Sequence, residues 1–287
     1  MPSQNIQWFP GHMAKTRRLI TENLKNVDAV IELLDARIPF SSRNPEIIKL
    51  TAEKPKIILL NKASLADPEK TSKWRSEYSD ENTVCIDTDC ITGAGLNKIA
   101  PSIKELCKEK LDRYENKGMS GRMVKAMVLG IPNVGKSSLI NKICGNKKAK
   151  VENRPGVTLD KQWVPTNIGI LLLDMPGILW PKFEDTTVGE NLAVTGAIKD
   201  DILDVETIAC ALCSRLRELY PHLLSARYKL GEASSYKELS DYELLSLIGK
   251  KRGFLISGGE IDTERTANML IDEFRTSKIG RITLDKI

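Results

Sequence analysis

The sequence predicts an α/β fold in which helices cover both faces of a mostly parallel sheet, followed by a small all-helical domain. Two observations support the first part. The runs at 27–34 and 57–60 are short and largely apolar, as expected for strands buried on both faces. Such runs alternate with helical patterns as far as about residue 185. Beyond that point only helical patterns follow, so we divide the chain into residues 1–185 and 186–287.

The predicted elements of the first domain follow one another in a regular order. Strands are predicted at 27–34, 57–60, 83–87, 124–129, 160–165 and 168–173, and helices at 12–26, 45–53, 68–78, 96–114 and 137–144. Asn44-Pro45 supplies a cap and a first-turn proline for the second helix. Only Thr166-Asn167 separates the last two strands, which indicates a hairpin. In the second domain, helices are predicted at 186–198, 202–219, 237–248 and 263–275.

Composition limits the class of protein. The 287 residues include 41% hydrophobic and 28% charged residues, as is typical of globular proteins. No apolar run approaches the roughly 20 residues of a membrane helix, and the N-terminus lacks the basic and apolar regions of a secretory signal. We therefore expect a cytoplasmic protein with no membrane partner, monomeric in isolation.

The strongest motif is GIPNVGKS at residues 130–137, which fits G-x-x-x-x-G-K-[ST] at every fixed position. It stands between a predicted strand and a predicted helix, where backbone N–H groups can surround a phosphate. Lys136 would reach the β- and γ-phosphates, and the Ser137 hydroxyl would bind Mg²⁺. The predicted nucleotide-binding residues here are Asn133, Val134, Gly135, Lys136, Ser137 and Ser138, and Lys136 is also a candidate catalytic residue.

A second motif, D-x-x-G at residues 174–177, follows the predicted hairpin. Asp174 would hold the magnesium shell, and the Gly177 N–H would contact the γ-phosphate. Thr158 lies between the two motifs, where a switch threonine normally closes over Mg²⁺, and is a candidate catalytic and magnesium-binding residue. Together the motifs predict a site for a nucleoside triphosphate and Mg²⁺.

The base-reading segment comes unexpectedly early. Asn61-Lys62-Ala63 follows the strand at 57–60 and precedes the phosphate loop, whereas an ordinary GTPase has N-K-x-D after both other motifs. This order predicts a circularly permuted P-loop GTPase domain. Ser64 stands where the guanine-reading aspartate is expected, and Asp67 is the nearest aspartate. Either Ser64 accepts one hydrogen bond from the base or Asp67 reaches it.

A further loop, at residues 87–93, is interpreted as the loop behind the base, although it lacks the serine and alanine of better-known GTPases and has Cys90 at the serine position. The predicted base-side residues are Asn61, Lys62, Ser64, Asp89 and Cys90. GTP and GDP are favoured over adenine nucleotides because Asn61-Lys62 sit at the expected strand end.

The chain resembles the circularly permuted ribosome-biogenesis GTPases of bacteria, of the ribosome biogenesis GTPase A type. The segments that carry the resemblance are WFPGHMAK at 8–15, LDARIP at 34–39, SRNP at 42–45, the phosphate loop, RPGVT at 154–158, DMPG at 174–177 with Pro181, and KIGRITL at 278–284. The resemblance implies GTP hydrolysis coupled to late assembly of the large (50S) ribosomal subunit. It implies rRNA and ribosomal proteins of the subunit precursor as partners. Residues 186–287 are interpreted separately as a helical domain that binds RNA or the ribosome.

The resemblance also implies two catalytic features. Ile178 follows Gly177, where a Ras-type GTPase has its water-orienting glutamine, so another group must position the water. The family makes His12 that group, although a helix cap is the other interpretation. The second histidine, His222, is expected to pack within the helical domain. Asn133 occupies a position linked in related GTPases to a potassium ion, which makes K⁺ a candidate cofactor.

Three questions stay open at this stage. The basic residues beside the nucleotide site either face an RNA backbone or form a solvated loop; they are Lys142, Lys147, Lys148, Lys150 and Arg154. A nucleotide-gated RNA-binding module with incidental turnover is an alternative to the enzyme. An ATPase acting on another RNA or protein partner is a third function, which Ser64 keeps open.

Overall fold

The strands form one sheet whose order brings the predicted motifs to one edge. The computed structural model describes residues 10–119, 121–145, 163–180, 183, 185–198 and 204–287, with side chains from residue 14 onward. The strands are β1 (Ala29–Asp35), β2 (Lys56–Asn61), β3 (Thr83–Asp87), β4 (Val124–Gly130), β5 (Trp163–Pro165) and β6 (Ile170–Asp174). Their order is β3-β2-β1-β4-β6-β5, and only β5 pairs antiparallel with its neighbour.

The central strands are buried on both faces. Every residue of β1 and β2 is buried, as their largely apolar sequences predict. The chain runs from β1 to β2 and β3 on one side, whereas β4 lies on the other side of β1. In open parallel sheets, ligands bind outside the carboxyl ends of the strands where the order reverses in this way. The loop after β4 occupies that place.

Helices cover both faces of the sheet, which confirms the predicted α/β class. They are α1 (Pro10–Leu24), α2 (Pro45–Leu50), α3 (Pro68–Glu77), α4 (Ile99–Leu106), α5 (Lys108–Glu115), α6 (Lys136–Cys144), α7 (Thr186–Val194), α8 (Val205–Leu219), α9 (Pro221–Tyr228), α10 (Asp241–Arg252) and α11 (Thr263–Arg275). On one face, Ile20 and Leu24 of α1 pack with Val30. On the other, Ile103 of α4 and Leu139 of α6 join the main core.

Two helical predictions differ from the structure. The helix expected at 96–114 is divided into a short 3-10 helix, α4 and α5, with a break at Cys107, whose ψ is 7°. Cys107 is buried, whereas α5 buries none of its residues, so the chain leaves the core at the break. Helix α9 was not expected, although Pro221 supplies its first-turn proline. His222, expected to pack internally, is exposed on α9.

The main core continues from the sheet into the C-terminal helices. Leu212 and Leu216 of α8 and Leu270 of α11 belong to the same buried cluster as Val128 and Leu172 of the sheet. The division into residues 1–185 and 186–287 therefore stays a prediction. Within the described ranges, none of the helices combines the length and apolar character that a membrane crossing requires.

The C-terminal segment runs back across the first domain. The Ile282 N–H donates a hydrogen bond of 3.1 Å to the Leu65 carbonyl. The Arg281 guanidinium donates to the carbonyls of Ala66 and Ala63, each at 2.8 Å. These contacts lie on both sides of residue 64, so the tail fixes the outer surface of the predicted base-reading loop.

Candidate nucleotide-binding site

The predicted phosphate loop connects β4 to α6 at the reversal point of the sheet. Helix α6 begins at Lys136, and its first N–H groups have no partner within the helix, which suits an anion. Gly135 has a φ of +110°, and a Cβ at this position would collide with the Asn61 side-chain amide. Glycine is therefore required here both by backbone conformation and by the close approach of β2.

The Lys136 amine folds over the loop that precedes it. Its Nζ lies 3.1 Å from the Gly130 carbonyl oxygen and 2.9 Å from that of Ile131. Burial lowers the pKa of Lys136 to about 8, and the negative charge of Asp174 partly opposes this shift. The amine is thus placed at the phosphate loop, and its direct partners among the described residues are two backbone carbonyl oxygens.

Asp174 ends β6 next to the same amine. Burial raises the pKa of its carboxyl group, and the positive charge of Lys136 partly offsets the rise. Its Oδ1 is buried and accepts no hydrogen bond from any residue that the structure describes. A buried carboxylate oxygen without a partner is uncommon and suits a cation or a cation-bound water.

Gly177 brings the D-x-x-G segment against the phosphate loop. A Cβ at this position would lie 2.9 Å from Lys136 Nζ and 2.9 Å from the Pro132 backbone nitrogen. The following Ile178 N–H donates to the Gly130 carbonyl at 3.3 Å. The two motifs are therefore in contact, and any larger residue at 177 would separate them.

Asn61 joins three loops through its side chain. Its Nδ2 donates to the Val134 carbonyl at 2.7 Å, and its Oδ1 accepts from the Cys90 N–H at 3.0 Å. The side chain is buried at the end of β2. One residue from the early base-reading segment thus holds the phosphate loop and the base-backing loop together.

Lys62 extends the same connection. Its Nζ lies 2.9 Å from Asp35 Oδ2 and 3.0 Å from the Asn133 carbonyl oxygen. Asp35 also accepts two hydrogen bonds from the Arg37 guanidinium, at 2.9 and 2.7 Å. Burial disfavours the charged form of Asp35, but the positive charges of Arg37 and Lys62 prevail and hold its pKa well below the usual range.

Ser64 and Asp89 form a pair on the base side. The Ser64 hydroxyl donates a short hydrogen bond to Asp89 Oδ2. Asp89 Oδ1 accepts from the N–H groups of Ile91 and Thr92, at 2.9 and 3.1 Å. Ser64 is exposed whereas Asp89 is buried, so the pair extends from the interior to the surface.

Asp67 is engaged elsewhere. Its Oδ1 caps α3 by accepting from the N–H groups of Glu69 and Lys70, and its Oδ2 accepts from the Tyr220 hydroxyl at 3.0 Å. Oδ1 therefore caps the start of α3, and Oδ2 contacts Tyr220 at the end of α8. The interpretation in which Asp67 reaches the base is not supported by this geometry.

Comparison with known proteins finds relatives that match nearly the whole chain. A family model described as "50S ribosome-binding GTPase" matches residues 125–220. The ribosome biogenesis GTPase A of Bacillus pumilus is 48% identical over 281 residues, which cover 98% of each chain. That of Priestia megaterium is 49% identical over 98% of this chain and 96% of its own. The chain belongs to the ribosome biogenesis GTPase A family.

A solved structure supports the same assignment to the ribosome biogenesis GTPase A family. GNP-bound YlqF from T. maritima has a TM-score of 0.61 and 25% sequence identity to the chain, and the match covers 95% of this chain and 98% of that one. Membership in the family makes the chain a GTPase, as the motifs predicted. The roles of the individual site residues stay predictions.

Asn133 points away from the phosphate loop. Its Nδ2 donates to the Gly196 carbonyl at 2.7 Å, in the segment that follows α7. Its φ of +58° is left-handed, a conformation that asparagine adopts more readily than most residues. The predicted potassium ligand is thus a link between the phosphate loop and the C-terminal helices in this GTPase.

Several predicted residues lie outside the description. The His12 backbone belongs to α1, but its side chain is not described. Thr158 and the rest of RPGVT, together with Lys147, Lys148, Lys150 and Pro181, lie outside the described ranges. Of the remaining predicted residues, the structure brings Asn61, Lys62, Ser64, Asp89, Cys90, Val134, Gly135, Lys136, Asp174 and Gly177 to one edge of the sheet, and Ser137 and Ser138 begin α6 there.

Sequence reasoning did not assign a role to Asp35 and Arg37. The structure makes them the buried charged pair to which Lys62 is anchored. The signal in the sequence was Asp35-Ala36-Arg37, directly after the largely apolar strand β1. This position places two charges at the carboxyl end of the sheet, beside the phosphate loop.

Proposed function

We propose that this chain binds GTP with Mg²⁺ and hydrolyses it during assembly of the large ribosomal subunit. The observation that carries the proposal is the Asn61 side chain, which joins the early base-reading loop to the phosphate loop. That contact is what a permuted chain needs in order to form a single nucleotide site. Family membership supplies the ribosomal context, since the curated relatives are ribosome biogenesis GTPases.

Ser137, Asp174 and Thr158 are the proposed magnesium residues. The unpartnered, buried Oδ1 of Asp174 supports a hard cation or its bound water at the end of β6. Ser137 adds a hydroxyl at the start of α6. When bound, the ion supplies positive charge to the β- and γ-phosphate oxygens.

Lys136 and Gly177 are the proposed phosphate contacts. A phosphate oxygen near Lys136 Nζ would replace the carbonyl oxygens of Gly130 and Ile131 and would raise the pKa of the amine above about 8. The Gly177 N–H would donate to the γ-phosphate. Because a Cβ at position 177 would lie 2.9 Å from Lys136 Nζ, Gly177 is close to this amine, and the loss of the γ-phosphate would affect the segment that leads to α7.

His12 is the proposed water-positioning residue. Ile178, at the position of the Ras-type glutamine, is aliphatic and buried, so it cannot orient a water molecule. The proposal for His12 rests on the family resemblance of the N-terminal segment. Asn133 is proposed as a potassium ligand on the same ground.

The test is GTP turnover with and without purified large ribosomal subunits. We expect the subunits to stimulate the wild-type protein, His12→Ala to lose this stimulation, and His222→Ala to behave as wild type. His222 is a suitable control because it is the other histidine and is exposed on α9. An absence of stimulation in the wild type would contradict the proposed function.

The same experiment separates the enzyme from a binding module. If His12→Ala keeps wild-type turnover while ribosome affinity still depends on nucleotide, hydrolysis is incidental and the chain is a nucleotide-gated RNA-binding module. A competition titration of ATP against GTP decides the third possibility. Equal displacement by ATP would support an ATPase.

A further inference from the structure

The base-reading loop of this chain lacks the carboxylate on which guanine selection normally depends. Ser64 occupies that position, and Asp67 is committed to α3 and Tyr220. Guanine presents two neighbouring donors, N1–H and the 2-amino group, and needs two acceptors facing them. A protein that selects GTP must therefore provide acceptors from another residue.

Asp89 lies directly beside the deficient position. It comes from the loop after β3, which Asn61 fixes to the base-reading loop through the Cys90 N–H. Asp89 Oδ1 accepts from two backbone N–H groups, whereas Oδ2 accepts from the Ser64 hydroxyl. An ionised carboxylate offers about four acceptor positions, so Oδ2 keeps one.

We propose that Asp89 replaces the missing aspartate as the guanine-reading carboxylate, with the Ser64 hydroxyl oxygen as the second acceptor. Oδ2 of Asp89 and Oγ of Ser64 are adjacent, and each has a free acceptor position when the hydroxyl proton points to the carboxylate. The two oxygens match the two donors of guanine. Adenine would place its N1 acceptor against them and is disfavoured.

The electrostatics agree with this assignment. Burial by itself disfavours the charged carboxylate, but the hydrogen bonds from Ser64 and from the backbone of Thr92 and Ile91 prevail and lower the pKa of Asp89. The group is ionised at neutral pH and presents a full negative charge to the guanine N–H groups. Charge-assisted hydrogen bonds of this kind are stronger than neutral ones.

The inference rests on the proposed function, because it assumes that the chain binds guanine nucleotides. Its test is a fluorescence titration of GDP, XDP and ADP on wild-type protein, Asp89→Asn, and the double variant Ser64→Asp with Asp89→Asn. In Asp89→Asn the remaining carbonyl oxygen can still accept from Ile91 and Thr92, so the loop keeps its cap. The new amide would oppose the donors of guanine but donate to the 2-carbonyl of xanthine.

We expect Asp89→Asn to bind GDP roughly 10- to 100-fold more weakly than wild type and to bind XDP more tightly than wild type. The double variant returns the carboxylate to position 64 and should recover most of the GDP affinity. Asp80→Asn is the matched control, since Asp80 also caps a turn, by accepting from the Asn82 N–H at the opposite end of β3. It should bind GDP as wild type does.

The outcomes separate the two proposals. Wild-type protein that binds GDP no better than ADP contradicts the proposed function itself. Selective wild-type binding with unchanged GDP affinity in Asp89→Asn overturns the inference alone. Weaker GDP binding without gain for XDP and without recovery in the double variant also overturns it, since Asp89 would then have only a structural role.

Discussion

The side-chain amide of Asn133 lies 2.7 Å from the carbonyl oxygen of Gly196 and joins the phosphate loop to the segment after α7. Helix α11 reaches the same place, because the Arg275 guanidinium donates to the carbonyls of Val194 and Ala193 at 2.9 and 3.0 Å. If Asn133 turns inward to coordinate an ion, it must release Gly196. Ion binding and the attachment of the C-terminal helices would then be linked.

This geometry leads to a prediction about potassium. We expect wild-type turnover of GTP to be at least about tenfold faster in K⁺ than in Na⁺, since a positive charge at this place can be worth roughly 10³–10⁵ in rate. Asn133→Ala should remove the difference. Turnover is measured in matched chloride buffers. Equal wild-type rates in the two salts would contradict a potassium role.

A second prediction concerns Asn61→Ala. The substitution leaves the buried Cys90 N–H and Val134 carbonyl without their partner, and each such group costs about 1–3 kcal/mol. We expect a lower free energy of unfolding and at least about tenfold weaker GDP binding, measured by urea denaturation and by fluorescence titration. Asn82→Ala, an exposed asparagine at the other end of the sheet, is the control. A variant with wild-type GDP affinity would show that the two loops do not need this bridge.

A third prediction concerns Gly177→Ala. The added methyl group would lie 2.9 Å from Lys136 Nζ and from the Pro132 nitrogen, so the D-x-x-G segment must move away from the phosphate loop. We expect GTP hydrolysis to fall by at least about tenfold, whereas GDP affinity changes little because only the γ-phosphate contact is displaced. Single-turnover hydrolysis and GDP titration measure the two effects. Normal hydrolysis would rule out contact between Gly177 and the γ-phosphate.

The lowered pKa of Lys136 leads to a prediction about nucleotide-free protein. The folded state holds this proton less tightly than the unfolded state, whose lysine pKa is about 10.4. Below about pH 8 both states bind the proton, and the buried charge destabilises the fold. Between about 8 and 10.4 the unfolded state binds more protons, so stability from this group rises with pH.

Lys136→Met removes this effect. At neutral pH we expect the nucleotide-free variant to be more stable than wild type, although Asp174 loses a neighbouring positive charge and offsets part of the gain. The difference should shrink as the pH rises from about 8 towards 10, while nucleotide affinity is lost throughout. Denaturant unfolding of both proteins across this range gives the measurement. If the difference in unfolding free energy between Lys136→Met and wild type does not depend on pH, the pKa of Lys136 is not lowered.

The Asp35–Arg37 pair leads to a prediction in which the buried charge stabilises the fold instead of destabilising it. The pKa of Asp35 is lowered, so the group stabilises the fold above the unfolded pKa of about 3.9 and loses this contribution as the pH falls below it. Asp35→Asn should cost about 3–5 kcal/mol at neutral pH, since it leaves a buried charge unpaired.

The cost of Asp35→Asn should decrease in acid, where the wild type loses the same interaction. Asp112→Asn, on the exposed face of α5, serves as the control and should leave stability nearly unchanged. Unfolding free energies at pH 7 and at about pH 3 test both variants. If the unfolding free energies of wild type and Asp35→Asn fall by the same amount in acid, the pKa of Asp35 is not lowered.

The sheet and the phosphate loop could be predicted because their signals are local. The apolar run at 57–60 predicts a buried strand, and G-x-x-x-x-G-K-S fixes both the turn and the following helix. The break at Cys107 could not be predicted, since it depends on where α4 meets the core. Helix α9 carried a local signal in Pro221 but lacked a long periodic pattern.

The site features that the sequence could not predict depend on contacts between distant segments. Three hydrogen bonds have no local signal in the sequence. They join Asp67 to Tyr220, Asn133 to Gly196, and Asp89 to Ser64. Each of these pairs forms because the fold brings two distant segments together. Each also changes the role that can be assigned to a predicted site residue.

The position of Arg281 has a consequence for biosynthesis. Arg281 is synthesised 218 residues after Ala63, to whose carbonyl oxygen its guanidinium donates a hydrogen bond. During translation, β1, β2 and the phosphate loop are all complete well before this guanidinium leaves the ribosome. A nascent chain can thus form these elements early, while the predicted base-reading loop gains its contact with Arg281 only after synthesis has passed the end of α11.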